Sequence, residues 1–308
     1  MTISSPQIVA VHGATGPQGA TVARALLAAG HSVRALARTP VTGRNDRVAG
    51  AVVDLSDVES LVRGYRGADA VFVHLPTVFD ADRALRQADN IATALDRAGV
   101  ARVVVNPNLV PPPTAIGVPY LDARVRVVQA ATNGRARVSV VAPAAQYMEN
   151  INAPFSSPRV IERGVLAYPL PADLAVPWVA QDDIAAVVAH VITDPEAPAM
   201  TVVSGPEALA GPQAAAELST ALNRALEWRT ISGDEYRAML APHVGEEAAS
   251  GIGALYDSVL SGQAPPPPPL DPSIVRTGAT SLQSWARAQS WPYSVDLNQP
   301  FPTSAGAR

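Results

Sequence analysis

Cysteine is absent from the 308 residues. Disulfides, thiol nucleophiles, iron–sulfur clusters and cysteine-ligated zinc are excluded together. Lysine is absent too, since all 23 basic residues are arginine. No Schiff base can form, no P-loop lysine can meet a phosphate, and no mechanism that needs an ammonium group can run. Aromatic residues are scarce, at 5%. No apolar run approaches the roughly 20 residues that cross a bilayer, because Gly, Pro or Arg breaks each one. His12, His31, His74, His190 and His243 are scattered without the spacing of metal ligands, so no metal is expected. The first seven residues lack the basic-then-apolar layout of a signal peptide, which makes a cytoplasmic location the expectation.

What remains is a chain with 48% apolar and 16% charged residues, rich enough to bury a sizeable core. Its charge is uneven. Residues 1–150 hold 15 Arg against 11 acids, and residues 151–308 hold 8 against 16. The acidic total argues against nucleic acid as a partner, while the basic half suits a phosphorylated small ligand.

The first half alternates between two periods. β-Branched runs fall at Ile8–Val11, Val33–Ala37, Ala51–Val53, Ala70–Val73, Val103–Val105 and Val138–Val141. Helical stretches separate most of them, including Ala84, Ala88, Ile91, Ala92 and Leu95, and a further one over Leu121–Ala131. This spacing predicts an α/β fold: a doubly wound parallel sheet with helices on both faces. After about residue 145 proline becomes frequent. Strand or helix signals of the first kind recur only at Val176–Ala180, Ile184–Val191 and Thr201–Ser204. Helices are predicted over Pro212–Leu226, Asp234–Leu240, Glu246–Leu260 and Thr280–Gln289. Asp182 and Asp183 read as an N-cap and a first-turn acid. The run Pro265–Pro269 reads as a stiff strap, or as a PxxP ligand for a partner. The expected division is a dinucleotide-binding domain over 1–150, its sheet completed by 176–205, and a smaller, mostly helical substrate domain over 151–308.

The sharpest motif is Gly13-Ala14-Thr15-Gly16-Pro17-Gln18-Gly19, between a strand and a helix beginning near Gln18. Gly13 permits a tight turn, Gly16 admits a pyrophosphate close to the backbone, and Gly19 lets helix and strand touch. Thr15, Pro17 and Gln18 complete the candidate cradle, with the helix N-terminus supplying free N–H groups. An NAD site normally carries an acid about 20 residues further on. Residues 20–45 contain none. The second strand instead ends Arg34-Ala35-Leu36-Ala37-Arg38, with Arg44 and Arg47 behind it. A guanidinium there suits a 2′-phosphate, so Arg38 is the candidate clamp and NADP(H) the expected cofactor.

These residues resemble the NmrA-like branch of the atypical short-chain dehydrogenases/reductases. The resemblance rests on Gly13–Gly19, Val33–Arg38, Val53-Asp54-Leu55-Ser56-Asp57, Ala98-Gly99-Val100, Met148-Glu149-Asn150, Val176–Ile184 and Ser204-Gly205-Pro206-Glu207. It implies a Rossmann fold with a substrate cleft toward the C-terminal part. It also implies that Asp54 and Leu55 flank an adenine, and that Leu75 and Pro76 run along the cofactor. Tyr147 and Asn150 fall where relatives close over the nicotinamide. For Asp54 a turn or capping role is the competing reading.

Relatives place Tyr…Lys or His…Lys four residues apart on a helix. By position the pair here is Tyr120 and Arg124, which share one helix face. Tyr120 would donate a proton as hydride arrives, and Arg124 would hold the ribose and stabilise the phenolate. Arginine is bulkier and never gives up its proton, so a lysine-type relay is lost. Where relatives end the fifth strand with Ser or Thr, this chain reads Asn106-Pro107-Asn108. Asn106 is either an oxygen-binding donor or part of an Asn-Pro turn. His74, ending the fourth strand, either lines the cofactor or packs as a neutral ring.

The expected function is an NADPH-dependent reductase that moves hydride to a small carbonyl, quinone or enone. The alternative is a non-catalytic NADP(H) sensor that regulates a protein partner. A homodimer is compatible with either.

Overall fold

The β-branched runs and the glycine-punctuated helices between them become one parallel sheet. A computed structural model describes residues 6–41, 45–76, 78, 80–115, 118–263 and 270–291. The Pro265–Pro269 strap and Arg44 lie outside the described residues. In chain order the elements begin β1 (Ile8–His12), α1 (Pro17–Ala28), β2 (Ser32–Ala37), β3 (Val48–Val52) and α2 (Val58–Tyr65). They continue with β4 (Ala70–His74), α3 (Ala81–Ala98), β5 (Arg102–Asn106), α4 (Pro119–Thr132) and β6 (Arg137–Pro143). A 3₁₀ turn at Met148–Asn150 precedes α5 (Ser157–Arg163) and β7 (Val165–Tyr168). Then come β8 (Val176–Pro177), α6 (Gln181–Val191), β9 (Met200–Ser204) and β10 (Ala208–Leu209). The last elements are α7 (Gly211–Leu222), β11 (Glu227–Thr230), α8 (Gly233–Val244), α9 (Glu246–Leu260), β12 (Val275–Thr277) and α10 (Leu282–Ala288).

The chain divides into two compact units. The first holds everything to Met148, then Ala175–Leu209 and the stretch carrying β12. Its eight strands run in the order β12-β9-β6-β5-β4-β1-β2-β3, all parallel. The period of two decides which residue meets which face. Val71, Val73, Val103 and Val105 pack with Leu61 of α2, Ile91 of α3 and Val127 of α4. Val9, Val11, Phe72 and Val104 pack on the other side with Leu26 of α1 and Val188 of α6. Both faces are therefore covered, the condition for a buried parallel sheet. Strand order reverses between β1 and β4, so the crevice at their C-terminal ends is where such sheets take ligands.

The second unit holds Glu149–Leu174, Ala210–Gln263 and the stretch carrying α10. Its short parallel pair, β7 with β11, backs a helical core of Ala167, Ile231, Tyr236, Met239, Leu240 and Ala249. Neither strand was expected from the pattern. The helix predicted to Leu226 stops at Leu222, because Asn223 turns into the left-handed region at φ 51°. Chain after that turn then pairs as β11.

Among the described residues no helix is long and apolar enough to cross a membrane. No group of three or more His, Cys, Asp or Glu there could hold a metal ion.

Candidate cofactor and active site

The glycine loop leaves β1 through Gly13, whose φ of 58° is left-handed and suits glycine. The Gly16 amide donates to the Gly13 carbonyl at 2.8 Å and closes the turn. Gly16 is the N-cap of α1 and Pro17 its first helical residue, so the helix starts one residue before the predicted Gln18. No side chain caps this end, and no acid lies in its first turn. The first-turn amides are thus left to a ligand, as an anion site requires. A Cβ at Gly19 would run into the Gly13 carbonyl oxygen, which is backbone and cannot yield. Thr15 is exposed and Gln18 half-buried, its Oε1 enclosed without a protein partner. Glycine cradle and uncapped helix start together fit a dinucleotide pyrophosphate.

The arginines of β2 and its neighbourhood separate by what they touch. Arg34 Nη1 donates to the Gly64 and Arg66 carbonyls at 3.1 and 2.6 Å, closing the C-terminal end of α2. Arg47 Nη1 does the same for α1 through the Leu27 carbonyl at 3.0 Å. Arg38, at the exposed end of β2, has no hydrogen bond or ion pair with a described residue. Asp54 is exposed and takes up the turn role: its Oδ1 accepts from the Ser56 amide at 2.8 Å. The cap of α2 is Asp57, which accepts from Glu59. Leu55 is half-buried against the core, and its carbonyl accepts from Asn90.

At the C-terminal ends of β4 and β5, His74 and Asn106 are register partners. His74 Nε2 lies only 2.6 Å from where a Cβ on Gly13 would stand, so ring and loop are in contact. Burial, then the Arg124 charge, pushes this imidazole down to about 4. It is neutral at ordinary pH, with Nδ1 enclosed and unpaired. Beside it, His12 Nε2 meets the Tyr65 hydroxyl at 2.7 Å in full burial. Burial and the neighbouring His74 push His12 to about 3, so the pair is a neutral imidazole sharing one hydrogen with a phenol. This bond ties the end of β1 to the end of α2, and nothing in the spacing of the two residues announced it.

Arg124 is 1% exposed, yet no carboxylate among the described residues pairs with it. Its Nη1 donates to the Tyr120 carbonyl at 2.8 Å, and Nη2 reaches the Pro76 carbonyl at 3.5 Å. The guanidinium lies 3.5 Å above the centre of the Tyr120 ring. Burial lowers the Arg124 pKa, and the Tyr120 and Tyr147 oxygens nearby oppose the fall. Its Nε is enclosed without a partner. A buried cation faced by carbonyls and phenols, with no carboxylate among the described residues, is incompletely compensated, which suits a site that receives negative charge.

Asn106, 1% exposed, donates from Nδ2 to the Tyr147 hydroxyl at 3.0 Å. Its Oδ1 accepts the Asn108 amide at 2.8 Å across a turn in which Asn108 takes φ 67°. The Asn-Pro turn is therefore present. Leu75 is buried and Pro76 exposed. Asn150 falls in the second unit, where its amide donates to the Tyr168 hydroxyl at 3.1 Å. Asp182 is not an N-cap, since Ala180 holds that position; Asp183 lies in the first turn as expected and accepts from the Thr280 amide and hydroxyl. One contiguous set emerges in the first unit: the glycine loop, His74, Pro76, Asn106, Tyr120, Arg124 and Tyr147. Arg38 follows the end of β2, and Asp54 and Leu55 follow the end of β3.

A parallel sheet of this strand order, with a glycine-cornered helix start at its switch point, defines a Rossmann-type nucleotide-binding protein. The chain matches the NmrA-like family over residues 5–277 and belongs to it. It is 30% identical over 257 residues to an NAD(P)H azoreductase of Xenophilus azovorans, covering 81% of this chain and 86% of that one. An NADPH-dependent quinone oxidoreductase of Escherichia coli, solved with NADPH, superimposes with a TM-score of 0.68 at 20% identity, over 91% of this chain and 98% of that one. NmrA, a negative transcriptional regulator solved with NAD, gives 0.69 at 18% identity, over 92% and 95%.

Proposed function

We propose that the chain is an NAD(P)H-dependent reductase that passes hydride to a small carbonyl, quinone or enone acceptor, with NADPH as the preferred form. The observation that carries this reading is the buried, carboxylate-free Arg124 stacked on a phenol at the ligand-binding edge of the sheet. A reduced nicotinamide, when bound, supplies the hydride. The chain's own residues do the rest. Gly13–Gly19 and the first turn of α1 receive the pyrophosphate, and Arg38 offers a guanidinium to a 2′-phosphate. Arg124 supplies positive charge where the reduced acceptor becomes negative, and Tyr120 is the phenol that spacing assigns to it.

The azoreductase and quinone oxidoreductase relatives support the reductase reading and add azo compounds to the acceptors worth testing. NmrA favours a second reading, a dinucleotide sensor without turnover. The two separate on NADPH oxidation by purified protein against a panel of quinones, azo dyes, enones and aldehydes. Turnover establishes the reductase. Tight NADPH binding by calorimetry, with no oxidation across the panel, overturns it in favour of the sensor.

A further inference from the structure

Two phenols, Tyr120 and Tyr147, lie close to the buried guanidinium of Arg124, and their surroundings differ. Tyr120 lies in the first turn of α4, half-exposed, with its ring face against the guanidinium. That contact uses the π-cloud, and a hydrogen bond from Arg124 to the Tyr120 side chain adds to it; both offset part of the cost of burying a charge that has no carboxylate. Tyr147 is 7% exposed and packed with Val179 and Phe72. Its chain position is held by the bridge to Val179.

The orientation of Asn106 follows from its other bond. A backbone N–H can only donate, so the atom that meets the Asn108 amide at 2.8 Å is the amide oxygen. The NH₂ group therefore faces Tyr147 and donates to its oxygen at 3.0 Å, a shorter approach than the 3.4 Å from the hydroxyl to Oδ1. With its oxygen accepting at 3.0 Å, the phenol's own proton is held toward Asn106 by no more than the long 3.4 Å approach to Oδ1. Hydrogen-bond donation to the oxygen also favours the phenolate, as does a cation close by.

We propose that Tyr147, oriented by Asn106 and facing the charge of Arg124, is the proton donor of the reduction, and that Tyr120 serves mainly as the cushion beneath Arg124. This rests on the reductase reading above. As hydride reaches one atom of the acceptor's double bond, the π electron pair moves to the other atom. That atom takes the Tyr147 proton, the O–H electrons stay on the phenol oxygen, and the phenolate recovers a proton from water. Asn106 is a positioning residue: it holds the phenol and touches no reacting atom.

The test compares Tyr147→Phe, Tyr120→Phe and Asn106→Ala in NADPH oxidation with a quinone and an azo dye. NADPH affinity is measured by calorimetry, and tyrosinate absorbance is followed in alkaline titration. Tyr147→Phe is expected to lower kcat by about 100-fold or more, the usual span of a general acid. Tyr120→Phe keeps the ring and is expected to lower it at least tenfold less. The wild-type minus Tyr147→Phe difference isolates the Tyr147 ionisation, which is expected at higher pH in an Asn106→Ala background. Asn106→Ala removes a donor to the phenolate, so the alkaline limb of the kcat profile moves to higher pH, a shift that simple loss of packing does not produce. The Asn106→Ala profile also decides the matter if Tyr147→Phe folds poorly. A wild type that turns over while Tyr147→Phe is unimpaired, or the opposite ranking of the two phenols, overturns this assignment alone. A wild type that binds NADPH without turnover overturns the reductase reading and this assignment with it.

Discussion

Replacing Arg38 by alanine separates cofactor preference from every other property of the site. Three described arginines lie on β2 or beside it, and two are committed. Arg34 closes α2 through two carbonyls, and Arg47 closes α1 through one. Arg38 has no such duty, so a 2′-phosphate that engages it breaks nothing already formed. Charge-assisted hydrogen bonds contribute about 1.5–3 kcal/mol each. At an exposed guanidinium, solvent and salt screen the interaction, which puts the net loss near the lower end of that range. At roughly 1.4 kcal/mol per factor of ten, Arg38→Ala should weaken NADPH about 10- to 30-fold. NADH lacks the phosphate and should bind the variant as it binds the wild type. Isothermal calorimetry with both cofactors at low and high salt is the assay, and the NADPH advantage should shrink as salt rises. Arg34→Ala is the contrast: it exposes the α2 terminus and should cost about 1–3 kcal/mol in urea unfolding while leaving the cofactor ratio intact. Equal weakening of NADPH and NADH by Arg38→Ala, or no weakening, would refute the reasoning.

Other perturbations test other parts of the site. Gly19→Ala drives a Cβ into the Gly13 carbonyl, so it should cost about 1–3 kcal/mol of stability in urea and abolish dinucleotide binding; normal binding would show that the loop has slack. His12 and His74 sit at about 3 and about 4 when folded, below the ordinary imidazole value near 6.5. The unfolded chain therefore binds more protons as pH falls below about 6.5, and stability should decline toward pH 4 by up to about 1.4 kcal/mol per pH unit per ring. Urea midpoints that stay level over that range would contradict the buried neutral state of both rings. Arg124→Met exchanges a buried cation without a carboxylate for an apolar chain of similar size, so its urea midpoint should hold or rise while NADPH oxidation falls. A large loss of stability would mean that Arg124 is chiefly structural.

Features carried by neighbouring residues could be read from the sequence, and features carried by neighbours in space could not. The glycine loop is a local device: three glycines, a proline at the first helical position and a strand before them act within seven residues. Its geometry follows almost to the residue, missing the helix start by one. The period-two strands follow for the same reason, since alternation alone decides the face. The strands β7 and β11 fail that test. They are four residues each, pair with each other across about 60 positions, and carry no alternation of their own. Even so, Asn223 was a visible stop signal, because asparagine is among the few residues that enter the left-handed region readily.

The candidate site repeats this division at the scale of side chains. Tyr120 and Arg124 are found together because four residues of helix bring them together, and the stacking distance of 3.5 Å is a consequence. Arg38 is the clamp the sequence points to, with Arg34 four residues before it in the same strand run. Only the placement of α2 beside β2 shows that one guanidinium is spent on carbonyls and the other is not. His12 with Tyr65, and Asn106 with Tyr147, join positions 53 and 41 residues apart, which strand order sets side by side. Burial then decides their chemistry, forcing His12 neutral and ordering Asn106 through a single backbone amide. The absence of lysine acquires its meaning at this level. A lysine opposite Tyr120 would offer a mobile ammonium able to pass protons; Arg124 offers a fixed plane that stacks on one ring and lends its charge to the next. A site built around such a plane has reason to take its proton from the other phenol.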